Sequence, residues 1–165
     1  MRSLGTISRL PMWEMIAFFA HCNIADHDLS TGDKFQFNTI PSSGNVSYNS
    51  NHTTFGGTNV FNTSTNTFTA PVAGLYSFTV TAYYRRNNDP LGPLVPRVNN
   101  TEVHNGNNGV FFFGPVSTNN GDTLSGTVIL QLAANDAVTI HRRNHGTGTV
   151  RFYGPHSHFC GHLIG

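Results

Sequence analysis

One stretch limits this chain more than any other: Tyr76-Ser77-Phe78-Thr79-Val80-Thr81-Ala82-Tyr83-Tyr84. Tyr76, Phe78, Val80, Ala82 and Tyr84 hold its even positions, and Ser77, Thr79 and Thr81 fall between them. A period of two puts these sets on opposite faces of a strand and does not fit a helix, whose face repeats every 3.6 residues. The same period recurs in Leu124 to Leu132, with Val128, Leu130 and Leu132 inward, and in Ala137 to His141, with Val138 and Ile140 inward. Asn135-Asp136 separates those two as a tight turn. Weaker strands are read at Ile16 to His21, Lys34 to Ile40, Phe68-Thr69, Leu94 to Val103, Gly109 to Phe113, Thr149 to Tyr153 and Ser157 to Ile164. Helix-period patterns, heptads and internal repeats are absent.

The composition agrees. Asn and Thr contribute 19 residues each, with 17 Gly, in 165 residues. These types favour turns and strands over helix interiors. Thirteen Phe supply core area and exclude disorder. Charged residues are 10% and the net charge is +1, so no general field draws the chain to nucleic acid or an anionic membrane. No apolar run reaches the length of a spanning helix, and no membrane insertion is expected. Ile16 to Ala20 is too short for a signal-peptide core and is read as a strand, so no signal peptide is visible. The expected organisation is an N-terminal extension, residues 1–15, before one domain, residues 16–165. About ten short strands with turn signals between them make that domain an all-β antiparallel sandwich or jelly roll. Two cysteines, Cys22 and Cys160, are too few for a disulfide framework. Parity points Cys22 inward with Phe18 and turns Cys160 away from the core, so no bond between them is expected. Asn45, Asn51, Asn62 and Asn99 stand in glycosylation sequons, which matter only if the protein is secreted.

Several motifs then fall in one order: Ile16-Ala17-Phe18-Phe19-Ala20, Phe35-Gln36-Phe37-Asn38-Thr39-Ile40, and Phe68-Thr69-Ala70-Pro71-Val72-Ala73-Gly74-Leu75-Tyr76-Ser77-Phe78. Val98-Asn99-Asn100-Thr101-Glu102-Val103, Leu130 to Val138 and the ending Phe159-Cys160-Gly161-His162-Leu163-Ile164 follow. From about Ile16 to Ile164 the chain resembles the globular domain of complement C1q and its relatives. It departs at Asn99-Asn100 and Asn135-Asp136, where the family has Asn-Gly and Gly-Asp. Asn is the best substitute for Gly at a positive-φ turn. Cys160 replaces the usual Ser, and the collagen-like stalk of many relatives is missing.

The resemblance implies a ten-stranded jelly roll, similar to the tumour necrosis factor fold, that assembles as a homotrimer, is secreted and recognises ligands without catalysis. It makes Phe18, Phe37, Phe68, Tyr76, Phe78 and Phe159 core residues, joined by inward Val138. It turns the face of the last strand that carries His156, His158, Cys160 and His162 toward the three-fold axis. With Tyr83 and Phe112, His158, Cys160 and His162 are the expected interface.

Chemical sites are sparse. No nucleophile elbow, zinc-protease helix, phosphate loop or dinucleotide fingerprint occurs, and no enzyme or required cofactor is expected. Some relatives bind calcium ahead of the Leu130 strand. Only Asp122 matches there, beside Asn119 and Asn120, so at most weak calcium binding is expected. Three copies of His158 or His162 near an axis would instead suit a transition metal. Arg85-Arg86 and Arg142-Arg143 end two strands. They either cover apolar surface with their stems or clamp the carboxylate or phosphate of a glycan or microbial polymer. A lectin-like module of innate immunity is the first reading. A cytokine-like receptor ligand and an adhesive head of a longer fibrous protein are the alternatives.

Overall fold

Alternation along the chain resolves into two facing sheets. The computed structural model describes residues 15–42, 48–50, 59–85, 93–105, 108–109, 121–143 and 148–165. Among them the strands are β1 (Ala17–His21), β2 (His27–Leu29), β3 (Phe61–Asn62), β4 (Thr67–Thr69), β5 (Gly74–Arg85), β6 (Leu94–Val98), β7 (Thr101–Glu102), β8 (His104–Asn105), β9 (Asn108–Gly109), β10 (Asp122–Leu132), β11 (Ala137–Arg142) and β12 (Val150–Leu163). The first sheet runs β1-β12-β5-β10, with β2 on the free half of β12; the second runs β3-β4-β11-β6-β7, and β8-β9 form a separate pair. Every named strand pairing is antiparallel. No helix among the described residues is long and apolar enough to cross a membrane.

The core is largely phenyl rings. Phe18 stacks on Phe61 with centroids 4.8 Å apart and meets Phe159 edge-on at 4.9 Å. Phe68 and Phe78 close the cluster at 5.1 Å. Such pairings add to the area term of burying the rings. All seven expected core residues, Phe18, Phe37, Phe68, Tyr76, Phe78, Val138 and Phe159, are at most 2% exposed. Gly161 explains the closing motif. A Cβ there would lie 2.5 Å from Phe78 Cδ1 and 2.9 Å from Phe18 Cε1, so both rings cross the strand where only hydrogen fits. The Tyr76 hydroxyl donates to the Val72 carbonyl at 2.8 Å and ties the preceding turn to β5.

Four boundaries differ from the sequence reading. Lys34 to Ile40 is not a regular strand: Lys34 bridges to His141 of the second sheet and Thr39 to His21 of the first. The segment buries Phe35 and Phe37 while crossing between sheets, so its alternation is real but its ladder is not. Leu94 to Val103 breaks at Asn99 and Asn100, both left-handed with φ of 50° and 66°. The last two expected strands are one strand, β12, whose pairing with β5 shifts between Tyr153 and His158. At that bulge Ser157 Oγ accepts the Tyr83 N–H at 3.2 Å and donates to the Tyr153 carbonyl at 3.1 Å. β2 and β3, of three and two residues, are too short to show a period. Of Gly109 to Phe113, only Gly109 lies among the described residues.

Candidate functional site

The outward face of the first sheet is built by register. One cross-strand row is Ala17–His162–Ser77–Ile129, the next is Phe19–Cys160–Thr79–Thr127, and the third is His21–His158–Thr81–Ser125. None of these twelve residues is Asp, Glu, Lys or Arg. Hydroxyls pair along the middle: Thr79 and Thr127 oxygens are 2.8 Å apart, and Thr81 and Ser125 oxygens 3.0 Å. Ile129 is 60% and Leu75 41% exposed at one end. At the other, His156 sits against Tyr153 and Tyr83, with ring centroids 4.7 and 5.7 Å away. So His156, His158, Cys160 and His162 share this face despite the bulge, and Tyr83 joins them.

His158 stacks on Phe19 at 5.3 Å, and burial holds its pKa below the ordinary histidine value. Burial pushes the Cys160 thiol up, against a smaller pull from the Thr79 backbone. Cys22 is fully buried, its thiol also raised by burial, and both cysteines are free. They lie on opposite faces of the first sheet, as parity requires.

Arg142 and Arg143 do not form one site. Arg142 is a correction: it is fully buried, and its guanidinium donates to the carbonyls of Leu29, at 2.9 Å, and Gly148. It holds the sandwich together and offers nothing to an external ligand. Arg143, adjacent and therefore on the other face, pairs with Glu102 at 2.9 Å. Arg85 ends β5 opposite Arg151 of β12. Arg86 and Phe112 lie outside the described residues. Asp122 opens β10, and its Oδ1 accepts the N–H of Thr123 at 3.0 Å; Asn119 and Asn120 lie outside the described residues. Among the described residues, no three His, Cys, Asp or Glu side chains gather as a metal site within one chain.

A polar cleft of about 400 Å³ opens where the connection after β2 crosses to the second sheet. His27, Asp28, Asp33, Lys34, Gln36 and Asn66 line it, with Leu29 beneath. Most of this frame is fixed. Asp28 takes two hydrogen bonds from Arg151, at 2.7 and 2.8 Å, which hold its carboxyl below the usual range. Asp33 Oδ2 caps the Ser30 N–H at 2.7 Å, and Lys34 Nζ donates to the Thr65 carbonyl at 3.1 Å. His27 Nε2 accepts the Gln36 N–H at 3.1 Å, and burial lowers its pKa, which keeps the ring neutral. The sequence reading missed this cleft. Its residues are scattered through turn-rich segments and form no motif, and only the crossing of Lys34 to His141 gathers them.

The C1q domain family matches residues 17–164. Among solved structures, the globular domain of zebrafish complement 1qA protein is similar at a TM-score of 0.60 and 20% identity, covering 91% of this chain and 98% of that one. The Eiger tumour necrosis factor of S. frugiperda is similar at a TM-score of 0.59 and 14% identity, covering 92% and 93%. No curated protein sequence matches the chain. The two structures are similar in fold, and the family match spans β1 through the closing Phe159-Cys160-Gly161-His162-Leu163: the chain belongs to the C1q-domain family.

Proposed function

We propose that this chain is a non-enzymatic, extracellular recognition module that works as a homotrimer and binds carbohydrate or microbial surface ligands in innate immunity. Trimers are typical of the family, and its members are generally extracellular. The observation that carries the assembly is the uncharged face of the first sheet. Three full rows of it have no carboxylate, ammonium or guanidinium, while Ile129 stays 60% exposed in the protomer. Burying such a face leaves few charges to desolvate, unlike a face meant for water. Weak calcium at Asp122, or a transition metal held by His158 or His162 across the axis, remains part of the proposal.

Size exclusion with light scattering at micromolar concentration should give three times the chain mass, and a clean monomer would refute the assembly. Binding of the purified protein to a glycan array tests the recognition reading. The similarity to the Eiger tumour necrosis factor structure favours a second reading, a receptor ligand on the same scaffold. That protein should leave the array blank.

A further inference from the structure

We propose that the cleft between Asp28, Asp33, Lys34, Gln36 and Asn66 binds a neutral polyhydroxyl ligand, one sugar residue or a short saccharide. The inference rests on the recognition reading and places its ligand at the side of the sandwich, away from the sheet face assigned to assembly.

The lining decides the ligand class. Charge sums to nothing: Asp28 and Asp33 are offset by Lys34 and by Arg151, which holds Asp28. A phosphate or carboxylate would meet two fixed anions, and an ammonium would meet Lys34 and an Asp28 already paired with Arg151. A bare cation needs several carboxylates or carbonyls converging, and both Asp28 oxygens already accept from Arg151. The one apolar liner, Leu29, is 2% exposed, so an apolar ligand finds no wall. The unspent capacity is of the amphoteric kind that vicinal hydroxyls need. Asp33 has an oxygen beyond the one capping Ser30, and Lys34 has protons beyond the one given to Thr65. The exposed Gln36 carboxamide makes no hydrogen bond among the described residues. The Asn66 carboxamide makes none either, and its Oδ1 is enclosed without a partner. Turning that amide over sacrifices no bond. The rest of the frame is set before any ligand arrives, because Asp28, Asp33, Lys34 and His27 are tied to Arg151, Ser30, Thr65 and Gln36. A volume of about 400 Å³ lies at the small end of ligand clefts.

The test is amide-resolved NMR titration of the whole chain with neutral monosaccharides and disaccharides, one at a time, to tens of millimolar. The expected result is saturable shifts at the amides of Asp33 to Gln36 and at Asn66 for at least one sugar. A Gln36→Ala, Asn66→Gly double variant should weaken that affinity about tenfold or more. Gly accepts the left-handed backbone of Asn66, φ 52°, and Gln36 keeps its backbone bond to His27, so the variant should fold as the parent does. Silent cleft amides at every sugar, or equal affinity in the double variant, overturn the site. A glycan array run in parallel keeps the two ideas apart. Array binding with silent cleft amides refutes this site and leaves the recognition reading standing. A blank array with shifts confined to the cleft supports the site and counts against that reading.

Discussion

Gly161 and Asn99 show how single residues hold this sandwich. Adding a methyl group at Gly161 drives it to 2.5 Å from the Phe78 ring, in a core whose rings already interlock. Gly161→Ala should therefore cost about 1–3 kcal/mol, the usual range for overpacking, read as a lower denaturation midpoint. Asn99 does two things. Its φ of 50° makes the turn after β6, and its amide bridges to the turn that precedes β11. Nδ2 donates to Asp136 Oδ1 at 2.7 Å, and Oδ1 accepts the Ala137 N–H at 2.9 Å. Asn99→Gly keeps the backbone and loses both bonds, so it should destabilise by about 1–2 kcal/mol. A variant as stable as the parent would show that the bridge contributes nothing. The same two bonds occupy the amide that a glycan at the Asn99 sequon would need.

At the scale of elements, β12 organises the molecule, pairing with β1, β2 and β5. Its bulge at Tyr153/His158 swings the strand so that one half serves the β2 edge and the other the sheet face. The Asp28–Arg151 pair that joins β2 to β12 is exposed, and exposed pairs are worth little and are screened by salt. Asp28→Asn should lower the melting temperature slightly at low salt and leave it unchanged at high salt. A large loss at high salt would mean that the pair does more than steady an edge. The sheet face is the opposite case. Thr127 sits exposed in the middle row, so Thr127→Glu should leave the protomer folded by circular dichroism yet give monomer mass by light scattering. A trimer that survives this charge would place the contact elsewhere.

For the whole molecule, protonation sets a pH window. His27, His141 and His158 all have pKa values lowered, and burial is the first cause in each. His141 Nδ1–H donates to the Gly32 carbonyl at 2.9 Å, and in the neutral ring Nε2 accepts the Thr139 hydroxyl at 3.0 Å. The unfolded chain takes up these protons near pH 6.5 and the folded chain only at lower pH. Below that value the unfolded state binds more protons, so the stability present above about pH 6.5 is lost as pH falls through the folded values. The melting temperature should therefore drop between pH 7.5 and pH 5. His21, His156 and His162 face the same layer as His158, so acid should also weaken the proposed trimer. Trimer mass should fall at pH 5 in the parent and less in a His158→Asn, His162→Asn variant. Equal trimer stability of the parent at both pH values would remove the clustering argument.

The fold class, the inward set and the outward set are legible along the chain. Alternation in β5, β10 and β11 is local information, because adjacent strand residues must point to opposite faces whatever pairs with them. The same parity set Cys22 and Cys160 apart, and the backbone tolerance of Asn marked Asn99-Asn100 and Asn135 as turns, which the positive φ values bear out. Tertiary structure decided what depends on meeting partners far away in the chain. Arg142 looks like a surface strand end, yet its guanidinium is drawn under the carbonyls of Leu29 and Gly148, because burial needs those acceptors and only the closed sandwich supplies them. The cleft is likewise invisible along the chain: Asp28, Lys34 and Asn66 become neighbours only when the segment after β2 crosses from one sheet to the other.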